Sequence, residues 1–269
     1  MSDLVAVRVV WHRELIGFWR NRVRMIVAFV QPFLFLFVLG TGLASVTRGT
    51  ATDIDWRTFM FPGVLALAVL MPSFFAAGSI VFDREFGFLR EMLVAPIRRG
   101  SIVIGKCLGG ATVAAAQAAV LLALAGLVHV PYDPLMLLEL FAMLVLLSFA
   151  LVAFGVFAAA KITQFQSFMA IVQLLMFPML FLSGAMFPLT GLPAWLETLT
   201  RIDPISYAVD PMRRAVFAQL DVSSRTRAIL DPGITWFGWR VPTALEVGLV
   251  LATGLAFLGL AVWRFQKVE

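Results

Sequence analysis

Long apolar segments are the feature of this sequence that most restricts its fold. Residues 25–46 read MIVAFVQPFLFLFVLGTGLASV, without a charged side chain among them. A helix of about 20 apolar residues is long enough to cross a bilayer. The sequence predicts six such spans, at residues 25–46, 59–82, 108–130, 135–159, 168–187 and 242–263.

The composition agrees with this pattern. Hydrophobic residues make up 61% of the 269 positions and charged residues 14%, whereas a soluble domain carries about 25% charge. The sequence therefore predicts an all-α integral membrane protein, with a segment at 1–24 followed by a single transmembrane domain at 25–269. Nucleic-acid binding is not expected, because no basic run alternates with aromatic residues.

Few residues suggest catalysis or metal binding. There is one cysteine, Cys107, so neither an internal disulfide nor a cysteine metal site is expected, and His12 and His129 lie far apart. A membrane enzyme would need clustered polar side chains. Asp203, Asp210 and Tyr207 come closest to such a cluster, and the turns beside neighbouring prolines explain them without chemistry. We expect no catalytic residue, no metal and no cofactor in this chain.

Basic residues are concentrated on one side of the predicted spans. The segments before the first span and between the second and third carry Arg8, Arg13, Arg20, Arg22, Arg24, Arg84, Arg90, Arg98, Arg99 and Lys106. The short loops on the other side carry Arg48 and Arg57. The preference of Lys and Arg for the cytoplasm predicts that both termini are cytoplasmic, in the inner or plasma membrane. A cleaved signal peptide is not expected, since the polar start is too long.

The segment at 1–24 has helical periodicity. Apolar residues recur at steps of three and four, at Leu4, Val7, Trp11, Leu15 and Phe18, and most of the arginines lie off this stripe. A helix of this kind lies in the membrane interface, with its apolar face in the acyl chains. A soluble helix that packs on a partner is the alternative.

Residues 100–107 nearly match a phosphate-binding loop. Gly100, Gly105 and Lys106 fit the pattern G-x-x-x-x-G-K, but Cys107 stands where Ser or Thr would bind magnesium. The residues between the glycines are bulky, and the stretch leads directly into a span. We therefore reject ATP binding here. Gly105 and Gly109 instead form a small-xxx-small pair that lets a neighbouring helix approach closely.

Residues 83–99, DREFGFLREMLVAPIRR, predict a short amphipathic helix between the second and third spans. Its stripe consists of Phe82, Phe86, Leu89 and Leu93. Asp83 and Glu85 would lie in its first turn, where negative charge suits the helix dipole. The helix is either a solvated connection or a docking element for a cytoplasmic protein.

This stretch resembles the signature of type-2 export permeases of the ATP-binding-cassette (ABC) class. The matching residues are Glu85, Gly87, Leu89, Leu93, Pro96, Arg99, Gly105 and Lys106. A second segment, at 181–216, resembles the region near the fifth span of the same class, through its Ser-Gly piece, Phe187-Pro188, Leu192-Pro193, Trp195-Leu196, Asp203-Pro204, Tyr207, Asp210 and Arg213.

The resemblance implies a half-transporter. Two six-span subunits, which are copies or paralogues, would form the pathway, and two separate ATPase subunits that bind ATP and magnesium would drive it. The expected coupling residues are Asp83, Arg84, Glu85, Phe86, Gly87, Leu89, Arg90, Pro96 and Arg99. A second ATPase contact would involve Trp11, Arg13, Leu15 and Phe18 of the interfacial helix.

The resemblance also implies short re-entrant helices after the fifth span, with Pro188, Trp195 and Tyr207 at an outer gate. An external cap on the bilayer is the alternative. The pathway would use the first, second and fifth spans, and its expected lining is Gln31, Phe33, Phe37, Phe74, Phe75, Gln173, Met176 and Phe177. Glu139 is either a substrate-binding residue or a partner for headgroups or an external arginine.

An apolar lining favours export of a hydrophobic or amphipathic compound, such as a drug, a lipid or a glycolipid-like molecule. Export of a polysaccharide or oligosaccharide is the alternative. An ion-coupled secondary transporter is less favoured, because it needs carboxylates near the midplane and Glu139 is not central in its span.

Overall fold

The computed structural model describes residues 3–46, 54–88, 98–190, 193–236 and 238–267. Its helices are α1 (Asp3–Arg20), α2 (Arg22–Leu34), α3 (Gly40–Val46), α4 (Trp56–Glu85), α5 (Arg99–Leu122), α6 (Pro134–Ala159), α7 (Phe165–Leu182), α8 (Ala194–Ile202), α9 (Ser206–Ala218), α10 (Ser224–Leu230) and α11 (Thr243–Gln266). A π-helical turn, Phe35–Leu39, joins α2 to α3, and the antiparallel strands β1 (Thr235–Trp236) and β2 (Trp239–Arg240) precede α11.

Six helical segments within these ranges are long and apolar enough to cross a membrane, which confirms the predicted number of spans. The first, Met25–Ala44, runs from α2 through the π-helical turn into α3. The others are α4, α5, α6, α7 and α11. The fold is therefore that of an all-α integral membrane protein, as predicted.

The third span is displaced from its predicted position. It begins at Arg99 rather than at Leu108 and ends at Leu122 rather than at Val130. The start differs because the Lys106 ammonium is paired inside the protein and does not end the helix. The end differs because a 3-10 turn at Ala125–Val128 replaces the last predicted turns.

Helix α4 is the centre of the bundle. In the most apolar 18-residue stretch of α4, 83% of the residues are buried, against 17% in the corresponding stretch of Met25–Ala44. Small residues let its neighbours approach: a Cβ atom on Gly110 of α5 would lie 2.6 Å from the Ala76 side chain, and one on Gly155 of α6 would lie 2.6 Å from Ala77. The long axis of α4 gives the bundle a Trp56 end and a Glu85 end.

The chain after α4 corrects one prediction. Asp83 and Glu85 belong to the last turn of α4 rather than to the first turn of a separate helix. Gly87 ends α4, because its φ of 83° places it in the left-handed region that suits glycine at a helix C-terminus. The remaining residues of the predicted coupling helix, at 89–97, lie outside the described residues.

Candidate coupling site

A buried ion-pair cluster joins α1, α4 and α5 near the Glu85 end. The Lys106 side chain is fully buried, and its Nζ lies 2.7 Å from Asp83 Oδ2 and 2.9 Å from Glu14 Oε1. Nζ also donates to Ser79 Oγ at 2.7 Å. Arg13 Nη2 donates to the same Asp83 oxygen at 2.6 Å. We call Arg13, Glu14, Ser79, Asp83 and Lys106 the Lys106 cluster.

The charges of the Lys106 cluster compensate one another. Two cations face two carboxylates, and the Ser79 hydroxyl satisfies a further ammonium proton. A buried pair of this kind adds little net stability, but removing one member leaves an uncompensated charge, which is costly. The cluster therefore holds the last turn of α4 in a fixed position relative to α1 and α5.

Helix α1 lies along the first half of α5 because glycines leave room for it. A Cβ on Gly105 would lie 2.7 Å from Val10 Cβ, and one on Gly109 would lie 2.8 Å from Glu14 Cβ. Trp11 Nε1 then donates to Thr112 Oγ1 at 3.1 Å. This confirms the predicted close approach at the two glycines and identifies α1 as the neighbouring helix.

The phosphate-loop pattern does not form a loop. Gly100, Gly105 and Lys106 all lie within α5, and Ile102 and Val103 between the glycines are buried. Most of the backbone N–H groups of this stretch are therefore engaged in the helix, and they do not form the concave cradle that a phosphate requires.

Arg84 and Glu85 connect α4 to the turn between α6 and α7. The Arg84 guanidinium donates to the carbonyl oxygens of Ala159 at 3.2 Å, Ala160 at 3.0 Å and Ile162 at 2.6 Å. Ala159 and Ala160 are at the C-terminus of α6 and Ile162 follows in the turn, so the guanidinium binds carbonyls around the end of that helix. The Phe165 N–H, at the start of α7, donates to Glu85 Oε2 at 2.9 Å. Both side chains therefore have a structural role in capping.

Exposed aromatic rings lie next to the Lys106 cluster. Phe86 is 60% exposed and Phe88 50% exposed, immediately before the undescribed residues 89–97. Leu89, Arg90 and Pro96 of the predicted coupling residues fall in that undescribed range. Where the described chain resumes, Arg98 Nη1 lies 3.2 Å from Asp3 Oδ2 of α1. The segment that contains the predicted docking element thus begins shortly after Asp83 of the Lys106 cluster and ends at a residue that is paired with α1.

Arg99, the last predicted coupling residue, belongs to the first turn of α5. Its Nη1 donates to the carbonyl oxygens of Phe265 at 3.4 Å and Gln266 at 3.5 Å, at the end of α11. These contacts satisfy carbonyls at the C-terminus of α11.

The face of α1 that contacts the protein differs in part from the predicted stripe. Phe18 is buried, Trp11 and Leu15 are half-buried, and Leu4 is exposed. The apolar residues that face away from the bundle are Val5, Val9, Ile16 and Trp19. The helix has apolar residues on two faces, and the glycines of α5 select the face that carries Val10 for packing.

The residues predicted to line the pathway differ in exposure. Phe33, Gln173 and Phe177 are exposed, Gln31, Phe37 and Phe75 are half-buried, and Phe74 and Met176 are buried. The Phe74 ring packs edge-on against Phe154 of α6, with 6.1 Å between the ring centroids. In this conformation Phe74 and Met176 therefore contact protein rather than an open surface.

The residues of the predicted outer gate belong to a folded segment at the Trp56 end. Pro188 is half-buried, Trp195 is exposed, and Tyr207 is buried between α8 and the β1–β2 hairpin. The Tyr207 hydroxyl donates to the Arg201 carbonyl at 2.7 Å and accepts from Trp236 Nε1 at 3.0 Å. Tyr207 therefore connects α8 to the β1–β2 hairpin, whereas the Trp195 side chain is exposed.

Two further polar side chains of this segment have structural roles. Arg213 is buried, donates to the Gly184 carbonyl and lies over the Phe59 ring, 4.4 Å from its centroid. Burial lowers its pKa to about 10. Asp203 accepts from the Ile205 N–H at 3.1 Å, and burial raises the pKa of its carboxyl to about 8 against the opposing effect of that bond.

Sequence reasoning missed Glu14 and Ser79. A lysine within an apolar helix signals a carboxylate partner, because an unpaired charge there is expensive. The sequence contains that signal at Lys106, but it does not specify which of the distant carboxylates pairs with it. Helices α2, α3 and α4 separate Glu14 from Lys106 in the sequence. The two residues therefore pair only because α1 packs on α5.

The fold and the Lys106 cluster together define a multi-pass membrane protein whose α1, α4 and α5 are joined at one end. The chain belongs to the ABC-2 type transporter family, whose model matches residues 5–217. It is therefore the membrane subunit of an ABC transporter, and membership implies association with ABC ATPase subunits.

Curated relatives agree with this assignment. The chain is 27% identical to a putative transport permease ycf38 of Cyanophora paradoxa, over 75% of this chain and 70% of that protein. It is 29% identical to nodulation protein J of Rhizobium leguminosarum bv. trifolii, over 76% of this chain and 78% of that protein. It is 30% identical to the probable multidrug ABC transporter permease YbhR of Escherichia coli K12, over 63% of this chain and 47% of that protein.

Proposed function

We propose that this subunit exports a hydrophobic or amphipathic compound and that its ATPase partner drives it through the Glu85 end. The observation that carries the proposal is the Lys106 cluster, which joins the last turn of α4 to α1 and α5 beside the exposed Phe86 and Phe88. A protein that docks on these rings can move three helices at once.

The proposed mechanism requires no covalent chemistry in this chain. The ATPase binds ATP and magnesium, and its closure displaces the segment that follows α4. Because the Lys106 cluster is buried and charge-balanced, the displacement moves α1 and α5 together with α4. Export follows if closure of the ATPase favours an outward-open arrangement of the spans over an inward-open one.

The proposed assembly contains two ATPase subunits and a second permease, either a copy of this chain or a paralogue. The Glu85 end and both termini are cytoplasmic, in the inner or plasma membrane, and the Trp56 end is external. Basic residues at the Glu85 end support this orientation. The exposed apolar faces of Met25–Ala44 and α7 support pairing through these two spans, with the pathway between the permeases.

The apolar surface also supports the proposed substrate class. Phe33 and Phe177 are exposed on these spans, and Phe33 is paired with Phe37 at 4.4 Å between ring centroids. An aromatic and aliphatic surface of this kind is suited to a hydrophobic or amphipathic substrate. The name of YbhR, a probable multidrug permease, points in the same direction.

The test is to co-purify the full chain with candidate ATPases after changing Phe86 and Phe88 to Ala together. We expect at least about a tenfold loss of ATPase association, since exposed aromatic anchors often dominate such contacts. Transport of a hydrophobic dye into inverted vesicles should fall in parallel.

The matched control is Trp239→Ala, because Trp239 is a comparably exposed aromatic residue, at 55%, on the opposite end of the bundle. If the Phe86 and Phe88 variant retains both ATPase association and dye transport, the docking proposal is wrong. If the dye is not transported while the wild-type chain still binds and stimulates its ATPase, the substrate class is wrong and the docking proposal stands.

A further inference from the structure

A groove with a volume of about 1290 Å³ lies where α5, α6, α9 and α11 meet. We call it the Glu139 groove. Its floor includes the buried Ala115 and Leu140, and its rim includes the exposed Val145 and Leu251. Because these helices other than α9 are membrane spans, the rim faces lipid. Its lining residues come from neither α2 nor α7, so the groove is separate from the proposed pathway.

The groove has the length of one bilayer leaflet. On α6 it is lined from Glu139 to Phe149, which corresponds to about 15 Å along a helix axis. The hydrocarbon core of a bilayer is about 30 Å thick. The volume exceeds the roughly 300–1,000 Å³ of a typical small-molecule pocket. Length and volume therefore suit a lipid better than a compact ligand.

Polar side chains are concentrated at one end of the groove. Glu139, Arg214 and Thr243 line the end nearest the Trp56 end of the bundle, and the remaining lining residues are apolar except for Thr112. This is the distribution that an amphipathic molecule requires, with a polar head at the membrane surface and its chains directed toward the midplane.

The charges at this end favour a cationic head. Arg214 is already engaged by the carboxylates of Asp210 and Glu246, with its Nη2 3.0 Å from Glu246 Oε1. Glu139 is exposed in the groove, and within the part of the chain that the structure describes its carboxylate has no ion-pair or hydrogen-bond partner. An unpaired carboxylate in a span is costly and marks a functional position.

We propose that the Glu139 groove binds a phospholipid with an ethanolamine headgroup from the leaflet at the Trp56 end. The headgroup ammonium pairs with the Glu139 carboxylate, and the acyl chains lie on the apolar floor between α5, α6 and α11. The lipid is a resident ligand of the permease and not the exported compound, so the site does not depend on the proposed substrate.

Native mass spectrometry of the full purified chain tests the proposal, with phosphatidylethanolamine or phosphatidylglycerol of the same acyl chains added. We expect the wild type to bind phosphatidylethanolamine in preference to phosphatidylglycerol. Glu139→Gln should weaken phosphatidylethanolamine binding by about tenfold, which corresponds to about 1.4 kcal/mol. Asp221→Asn, which changes another exposed carboxylate outside the groove, should leave binding unchanged.

A second variant tests the acyl-chain contact. Ala116 is exposed in the groove, so Ala116→Trp should fill the space and reduce binding of both lipids without disturbing the core. Equal binding of the two lipids by the wild type, or unchanged phosphatidylethanolamine binding in both variants, would overturn the proposal. A change of oligomeric state in Ala116→Trp with lipid binding intact would also overturn it, because the groove would then be a contact between copies.

Discussion

At the scale of single residues, Lys106 shows how an apolar helix accommodates a full charge. Its hydrocarbon stem lies within α5, and its ammonium reaches groups from two other helices, Asp83 and Glu14. The Asp83 and Glu14 carboxylates are in turn stabilised by the Lys106 ammonium, because both carboxylates are largely buried. The residue therefore contributes specificity to the packing of three helices more than net stability.

Replacing Lys106 with Met should destabilise the protein by about 3–5 kcal/mol, the usual cost of breaking a buried ion pair from one side. Asp83 would keep its contact with Arg13, but Glu14 would lose its ammonium partner. Thermal unfolding of the full chain in detergent measures the change. Lys161→Met is the control, since Lys161 is exposed in the turn between α6 and α7. Equal unfolding temperatures for the two variants would show that the cluster is not stabilised by Lys106.

At the scale of elements, the pairing of α1 with α5 is notable because α1 is not one of the six spans, yet it packs closely against one of them. Val10 and Glu14 of α1 lie directly over Gly105 and Gly109, and Trp11 donates to Thr112 farther along α5. The closeness of the backbones depends on the absence of side chains at the two glycines.

Gly105→Leu should separate α1 from α5, because even a Cβ at this position would lie 2.7 Å from Val10 Cβ and 2.9 Å from the Val7 carbonyl. Overpacking of this kind typically costs about 1–3 kcal/mol. Limited trypsin digestion of the purified chain measures the effect, since release of α1 would speed cleavage after Arg13.

Gly248→Leu in α11 is the matched control, because no heavy atom lies within 4 Å of a Cβ built there. Its digestion should follow that of the wild type. If Gly105→Leu is also cleaved at the wild-type rate, α1 is not held by its contact with the glycines.

The order and number of the spans could be predicted from the sequence, because each apolar run is long enough to identify alone. The bounds of α5 could not, since a lysine normally marks the end of a span and Lys106 is instead paired internally. The placement of Asp83 and Glu85 was wrong for a similar reason: the sequence shows a helical pattern on both sides of Gly87, and the left-handed backbone there decides where α4 ends.

At the scale of the whole molecule, burial decreases from the centre of the bundle outward. Helix α4 is enclosed by other helices. In Met25–Ala44, α7 and α11, only 17%, 28% and 22% of the residues in the most apolar 18-residue stretch are buried. Three peripheral spans thus present apolar faces to lipid or to a second permease. The proposed pairing uses the first two of them and leaves α11 facing lipid.

Cysteine cross-linking distinguishes these faces. Phe177 on α7 and Leu255 on α11 are similarly exposed, at 50% and 53%. In a Cys107→Ala background, where the buried native thiol is removed, Phe177→Cys should give a covalent dimer on oxidation and Leu255→Cys should not. A dimer through Leu255→Cys alone would place the contact between permeases on α11 and contradict the proposed pairing.

The π-helical turn at Phe35–Leu39 has a geometric consequence for the first span. The Gly40 N–H bonds to the Phe35 carbonyl, so this turn holds one residue more than an α-helical turn would. Resetting it to α-helical spacing would rotate one half of the span against the other by about 100° and shift it by about 1.5 Å along the axis. Gln31 and Phe33 would then face different neighbours, although the span would not have to tilt.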